Sequence, residues 1–193
     1  MMKPRIASIV SAEKSPPKVE GDSGPGAYGE KFMKRAIAIS KTAMVIPGSE
    51  PFGAVIVRNG KIVGEGLSRA LATLDVTSHG EVEAIRDANR RLKRLDLSDC
   101  EIYTTCEPCP LCVAAISIAR LRKMYYAATL DQAGRAFALL PPNGRFPVDI
   151  NKLIAEERAT VNKRQTPAEQ KLDAESFEVL KACALERKRA LPT

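Results

Sequence analysis

Apolar positions fall in two rhythms along this chain. Residues 30–44, EKFMKRAIAISKTAM, repeat them at helical spacing and predict a first helix, which PGSEP at 47–51 breaks. FGAVIVRNGKIVGEG at 52–66 instead carries β-branched runs on either side of Asn59-Gly60, the short signal for two antiparallel strands joined by a tight turn. EVEAIRDANRRLKRL at 81–95 returns to the helical period, with acids in its first turn and bases in its last, as the helix dipole favours. CEIYTT at 100–105 reads as a strand, LCVAAISIARL at 111–121 as a buried helix, and KMYYAAT at 123–129 as a further strand. PPNGRFP at 141–147 reads as a loop, and 167–188 as a terminal helix opened by Thr166-Pro167.

Strands alternating with helices predict an α/β domain whose sheet is covered on both faces. The stretch SAEKSPPKVEGDSGPG at 11–26 is rich in Pro, Gly, Ser and charge, so residues 1–26 are expected to form a mobile tail. Residues 27–193 are then expected to form a single domain.

Composition narrows the class. The 193 residues, 45% of them hydrophobic and 27% charged, suit a globular chain with its own core. Apolar runs such as VAAISIA at 113–119 are too short to cross a bilayer, and the amino-terminal residues lack the long apolar stretch of a secretory signal. Five cysteines do not suggest a disulfide framework, so a reducing cytoplasm is the expected setting. The net charge of +7 raises an anionic partner such as nucleic acid, with bases clustered at 86–94 and 187–189. Only 5% of residues are aromatic, which leaves few platforms for stacking bases.

Candidate chemistry concentrates in TTCEPCPLC, where Cys106, Cys109 and Cys112 recur at intervals of three. An iron–sulfur cradle of the ferredoxin type would want a thiolate three residues after Cys112, where Ile116 stands. A structural zinc site, as in a non-enzymatic interaction module, would close on all three cysteines and one histidine. A catalytic zinc would use fewer protein ligands. The only histidine, His79, stands two residues before Glu81 at the expected start of a helix. Cys109 and Cys112, an i, i+3 pair at another helix start, can aim both sulfurs at one point, where the dipole favours thiolate. Two thiolates and one imidazole would balance Zn²⁺ and leave a fourth corner for water, whose proton Glu81 would take and pass on. Cys106 is then expected to be a small buried neighbour.

His79-x-Glu81 followed by Pro108-Cys109-x-x-Cys112 is the pattern of the zinc-dependent deaminases. Together with PFGAVIVRNGKIVGEG, DVTSHGEVEAIRDA and ARLRKMYYAA, it makes the chain resemble the cytidine deaminase superfamily over about Phe32 to Leu130. Within it, the nucleobase branch of guanine and cytosine deaminases is the most similar. The resemblance implies a three-layer α/β/α sandwich with a mixed five-stranded sheet, commonly a homodimer, in which residues 141–193 exchange between subunits or lid the site. It implies a hydrolytic deaminase of a free base: guanine first, then isoguanine, cytosine, an azapyrimidine or a triazine. A tRNA adenosine deaminase is the alternative. Phe52, Ser68, the backbone of Glu81 and Asp131 would shape the pocket, with Phe137 as a stacking lid. Ser68 stands where relatives usually carry a base-binding Asn, Asp131 is the nearest match to a second acid of guanine deaminases, and Ile118 replaces a tryptophan of that family.

Overall fold

A computed structural model describes residues 28–140, 149–166 and 168–190, the side chains of residue 162 and of 187–190 excepted. The tail expected over 1–26, the loop expected over 141–147 and Pro167 lie outside the described residues. Two compact units divide at Ile154/Ala155.

The first unit is built on a sheet. Strand β1 (Glu50–Arg58) turns into β2 (Lys61–Ser68) through Asn59 and Gly60, both at positive φ (48° and 70°), the backbone that a two-residue hairpin turn requires. Strand β3 (Cys100–Cys106) pairs antiparallel with β1, and β4 (Lys123–Ala128) pairs parallel with β3, giving the order β2-β1-β3-β4. The parallel pair needs a crossover, and helix α4 (Pro110–Ile118) supplies it. The sheet is mixed, as expected, but has four strands among the described residues rather than five. Among the described residues beyond β4, regular structure is helical and none pairs with the β4 edge.

Side-chain alternation in β1 builds two cores. Ala54 and Ile56 point to one face, against Ala84, Ile85 and Ala88 of helix α3 (Gly80–Leu92) and Ile116 of α4. Val55 and Val57 point to the other, against Phe32, Met33, Ala36 and Ile39 of helix α1 (Glu30–Lys41) and Tyr103 of β3. The sheet is therefore a middle layer between helices, the three-layer arrangement expected from the sequence.

Helix α1 ends at Lys41, earlier than its apolar period suggests, and a single 3₁₀ turn continues over Thr42–Met44. Two short helices follow elsewhere in the chain: α2 (Ala70–Thr73) and the amphipathic α5 (Leu130–Phe137). The latter starts on a capping box, Thr129 accepting from the Gln132 N–H while the Gln132 side chain accepts from the Thr129 N–H. Helix α6 (Ile150–Arg158) follows. The terminal helix α7 begins at Asp173 rather than at residue 167, because Leu172 adopts a left-handed φ of 52° that no helix continues through. Among the described residues, no helix is long and apolar enough to cross a membrane.

Candidate metal centre

Two helix starts meet above the sheet. His79 is the N-cap of α3 and Cys109 that of α4, both in extended backbone, and neither side chain caps its own helix. Pro110 at the first helical position gives α4 the φ it needs without wasting an N–H. The chain enters α3 through a tight turn in which Asp75 accepts from the Thr77 N–H and hydroxyl, and the Ser78 hydroxyl donates to Glu83. These contacts fix the residue before His79 and leave the imidazole free to face the cysteines.

His79 Nδ1 lies 3.5 Å from Cys109 Sγ and 3.4 Å from Cys112 Sγ, and the two sulfurs are 3.7 Å apart. A tetrahedral zinc with bonds of about 2.3 Å to sulfur and about 2.0–2.1 Å to nitrogen would set those edges near 3.5 Å and 3.8 Å. The triangle fits the ion. These are the only three His, Cys, Asp or Glu side chains that cluster tightly enough to hold a metal among the described residues. Cys106 is not one of them: its thiol points to the Thr129 carbonyl at 3.9 Å, and burial pushes it up to about 11. A closed four-ligand site is therefore not built here, and neither Cys106 nor any fourth cysteine makes an iron–sulfur cradle.

The local field suits thiolate ligands. Hydrogen bonding from the Cys112 thiol, with help from the His79 ring and the Cys112 N–H at the helix start, pulls the Cys109 thiol well down against the cost of burial. His79 is raised, chiefly by its hydrogen bond to Cys109, with smaller contributions from the carboxylates of Glu81 and Glu50.

Glu81 is 5% exposed and sits in the first turn of α3, directly beside this triangle. Its Oε2 lies 3.3 Å from Cys112 Sγ, and its Oε1 accepts from the Thr104 hydroxyl at 2.9 Å. Burial raises its carboxyl above the usual range, while the hydrogen bonds from its own backbone N–H, Thr104 and Cys112 pull the other way. An acid held in this state can both take and return a proton.

The helix reaches this depth because glycines let backbones touch. A Cβ at Gly66 would stand 2.1 Å from the Gly80 carbonyl, and one at Gly80 would stand 2.5 Å from the Phe52 carbonyl. Phe52 is thereby placed next to the His79–Glu81 turn. Its ring stacks on Phe137 of α5, centroids 5.5 Å apart and planes inclined by 30°. Ser68 is 1% exposed and closes β2 near the same turn, but its hydroxyl is already committed to Glu50 Oε2 at 2.8 Å. Asp131 lies apart in character: exposed in the first turn of α5, its carboxylate pairs with Arg135 at 3.3 Å. A groove of about 390 Å³ between Thr42, Ile46 and the Glu65–Leu67 part of β2 includes none of the metal residues.

Two residues at the site escaped sequence reasoning. Thr104 is one of several polar residues in a strand, and only the alternation of β3 turns it toward Glu81. Glu50 belongs to no motif, and only the β1–β2 register brings it to Ser68.

Comparisons with known proteins agree with this geometry. Residues 28–128 match the family described as the cytidine and deoxycytidylate deaminase zinc-binding region. The chain is 43% identical over 107 residues to guanine deaminase of Bacillus subtilis (strain 168), covering 55% of this chain and 69% of that one. It is 35% identical over 148 residues to a tRNA-specific adenosine deaminase of Agrobacterium fabrum, covering 74% and 95%. The X-ray structure of the Bacillus subtilis guanine deaminase superposes with a TM-score of 0.71 at 34% identity, over 82% of this chain and 94% of that one. The chain therefore belongs to the cytidine deaminase superfamily, and it is a zinc-binding hydrolytic deaminase.

Proposed function

We propose that this enzyme deaminates a free aminated heterocycle in the cytoplasm. Guanine is the first choice, and isoguanine, cytosine, an azapyrimidine and a triazine share the same reactive feature, an amine on a carbon between or beside ring nitrogens. The observation that carries this reading is the three-sided corner of His79, Cys109 and Cys112 with the buried Glu81 carboxylate 3.3 Å from the Cys112 sulfur. Zinc bound in such a corner makes a water molecule acidic near neutral pH.

The protein's own groups do the rest. Glu81 accepts one proton of the attacking water and gives it to the ring nitrogen, then carries the proton of the hydroxyl added to the ring carbon to the amine, which leaves as ammonia as the C–N bond breaks and the carbonyl forms. Thr104 keeps the Glu81 carboxylate turned inward through both transfers. The rings of Phe52 and Phe137 offer an apolar face against which a flat base lies. Asp131, exposed and paired with Arg135, is given no part in the proton transfers. The identity to a guanine deaminase supports the choice of ring.

The similarity to a tRNA-specific adenosine deaminase supports a second reading. Against it, the basic residues of the α3 end are engaged locally: Arg90 and Arg91 face Asp87, and Arg94 binds Asp99. Exposed apolar side chains on α4 and β4, among them Val113, Ile118 and Tyr126, support assembly as a homodimer, which sedimentation of the purified chain checks.

The deciding experiment is an ammonia-release screen of zinc-loaded protein against purine, pyrimidine and triazine bases and their nucleosides. Turnover of free bases is the expected result. Activity confined to tRNA, with binding that weakens steeply as salt rises, would transfer the assignment to the second reading.

A further inference from the structure

The start of β1 and the end of β2 face each other as Cα partners at Glu50 and Ser68, after which the register shifts before Gly53. At this irregular end of the ladder a buried hydroxyl meets a half-buried carboxylate: Ser68 Oγ donates to Glu50 Oε2 at 2.8 Å. The pair is tied to the metal turn from both sides. Immediately after Ser68, the Arg69 N–H donates to the carbonyl of Ser78, the residue preceding His79, at 2.9 Å. Two residues after Glu50, the Phe52 carbonyl packs against Gly80, the residue following His79. Glu50 and Ser68 thus belong to the wall from which His79 and Glu81 project.

Only one oxygen of that carboxylate is committed. Among the described residues, Glu50 Oε1 makes no hydrogen bond. A carboxylate is an acceptor only, whereas an amide side chain could turn over and donate. Held in place by Ser68, it rewards an N–H pointed at it, with the added strength of a charged acceptor, and it repels a ring carbonyl in the same position. Ser68, whose hydrogen is spent on Glu50, adds no donor to offset this.

We propose that Glu50, positioned by Ser68, is a specificity-determining residue that selects heterocycles presenting a second N–H donor, ring or exocyclic, on the edge beside the departing amine. This rests on the free-base reading above and narrows it. Guanine satisfies the rule through its ring N–H, and diamino-substituted purines and pyrimidines satisfy it through their second amino group. Cytosine does not, because it presents a bare ring nitrogen and a carbonyl beside its departing amine. Leaving a buried polar group facing the wrong partner is the kind of penalty that gives large discrimination.

The test uses two matched pairs with the zinc-loaded full chain: 2,4-diaminopyrimidine against cytosine, and guanine against 1-methylguanine. Wild type is expected to favour the donor-bearing member at least tenfold in kcat/KM, mainly through KM. Glu50→Gln is expected to bring the ratio within about threefold of unity by raising KM for the donor-bearing member and lowering it for its oxo partner. Ser68→Ala, which frees the carboxylate to turn away, is expected to raise KM for the donor-bearing member several-fold with zinc content and kcat little changed. Ammonia release with a ratio near one in wild type, or with the same ratio in Glu50→Gln as in wild type, overturns this inference and leaves the free-base reading standing. Ammonia from none of the four, nor from any free base of the wider screen, overturns both.

Discussion

Thr104 Oγ1 donates to Glu81 Oε1 at 2.9 Å, joining the middle layer of the fold to the acid beside the metal triangle. Both side chains are buried, so neither has water as a ready substitute partner. On the proposed mechanism, Glu81→Gln is expected to lower kcat by about 10²–10⁴ while leaving one zinc per chain, because the carboxylate would move protons and lies outside the three-residue metal group. Thr104→Val is expected to cost about tenfold or less, the worth of one hydrogen bond. Thr104 lowers the Glu81 carboxyl, so its removal raises it. The acid limb of the kcat/KM profile should therefore move to higher pH. A limb that stays in place would mean that Thr104 does not act on Glu81.

Metal retention separates the cysteines. Cys109→Ser and Cys112→Ser are expected to yield protein with substoichiometric zinc by elemental analysis and no measurable turnover. Cys106→Ser should keep both, since that thiol faces the Thr129 carbonyl rather than the triangle. Loss of zinc from the Cys106 variant would point instead to a sealed, structural ion.

Close backbone contact makes Gly66 intolerant. A methyl group there would meet the Gly80 carbonyl at 2.1 Å and the Ala84 nitrogen at 2.3 Å, neither of which can turn aside as a side-chain tip could. Gly66→Ala is expected to destabilise the fold by about 3 kcal/mol, the upper end for overpacking, in urea titrations of the metal-free protein. It should also weaken zinc binding, because α3 carries His79.

Away from the site, Asp99 joins the α3 end to the sheet, accepting from Arg58 at 2.7 Å and binding Arg94. Burial opposes its charge, but the bonds from Arg94, Cys100 and Arg58 win and hold the carboxyl below the usual Asp range. A depressed folded value contributes stability that is present above the unfolded value, about 3.9, and is lost as pH falls through the folded one. Asp99→Asn is expected to cost about 2 kcal/mol at pH 7, and the gap to wild type should narrow as the pH drops below 4. Parallel melting curves across pH would show that the shift is absent.

The features legible in the sequence are those with a local cause. Asn59-Gly60 dictates its turn wherever it stands, and the spacing of Cys109 and Cys112 at a proline-led helix start needs no distant partner. Three-ligand geometry could be expected from His79 because there is no other histidine to weigh against it. What resisted reading depends on register and on length. Helix α5 is only two turns long, and its start is marked locally by the capping pattern of Thr129 and Gln132. Thr166-Pro167 suggests a helix start, yet the left-handed Leu172 delays it to Asp173. Ser68 closes β2, one residue before the Arg69 N–H that donates to the Ser78 carbonyl. Its hydroxyl, however, is turned to Glu50, a partner that only strand pairing supplies.

Because His79 and Cys109 each open a helix, the ion they grip would clasp two segments thirty residues apart in the chain, with β3 threaded between them. Loading would then act as a reversible clamp. Stripping it with a chelator should loosen α3 from α4 first, at their amino-terminal ends, while the strands beneath keep their pairing. Amide exchange in the first turns of those two helices would register the opening before any strand responds.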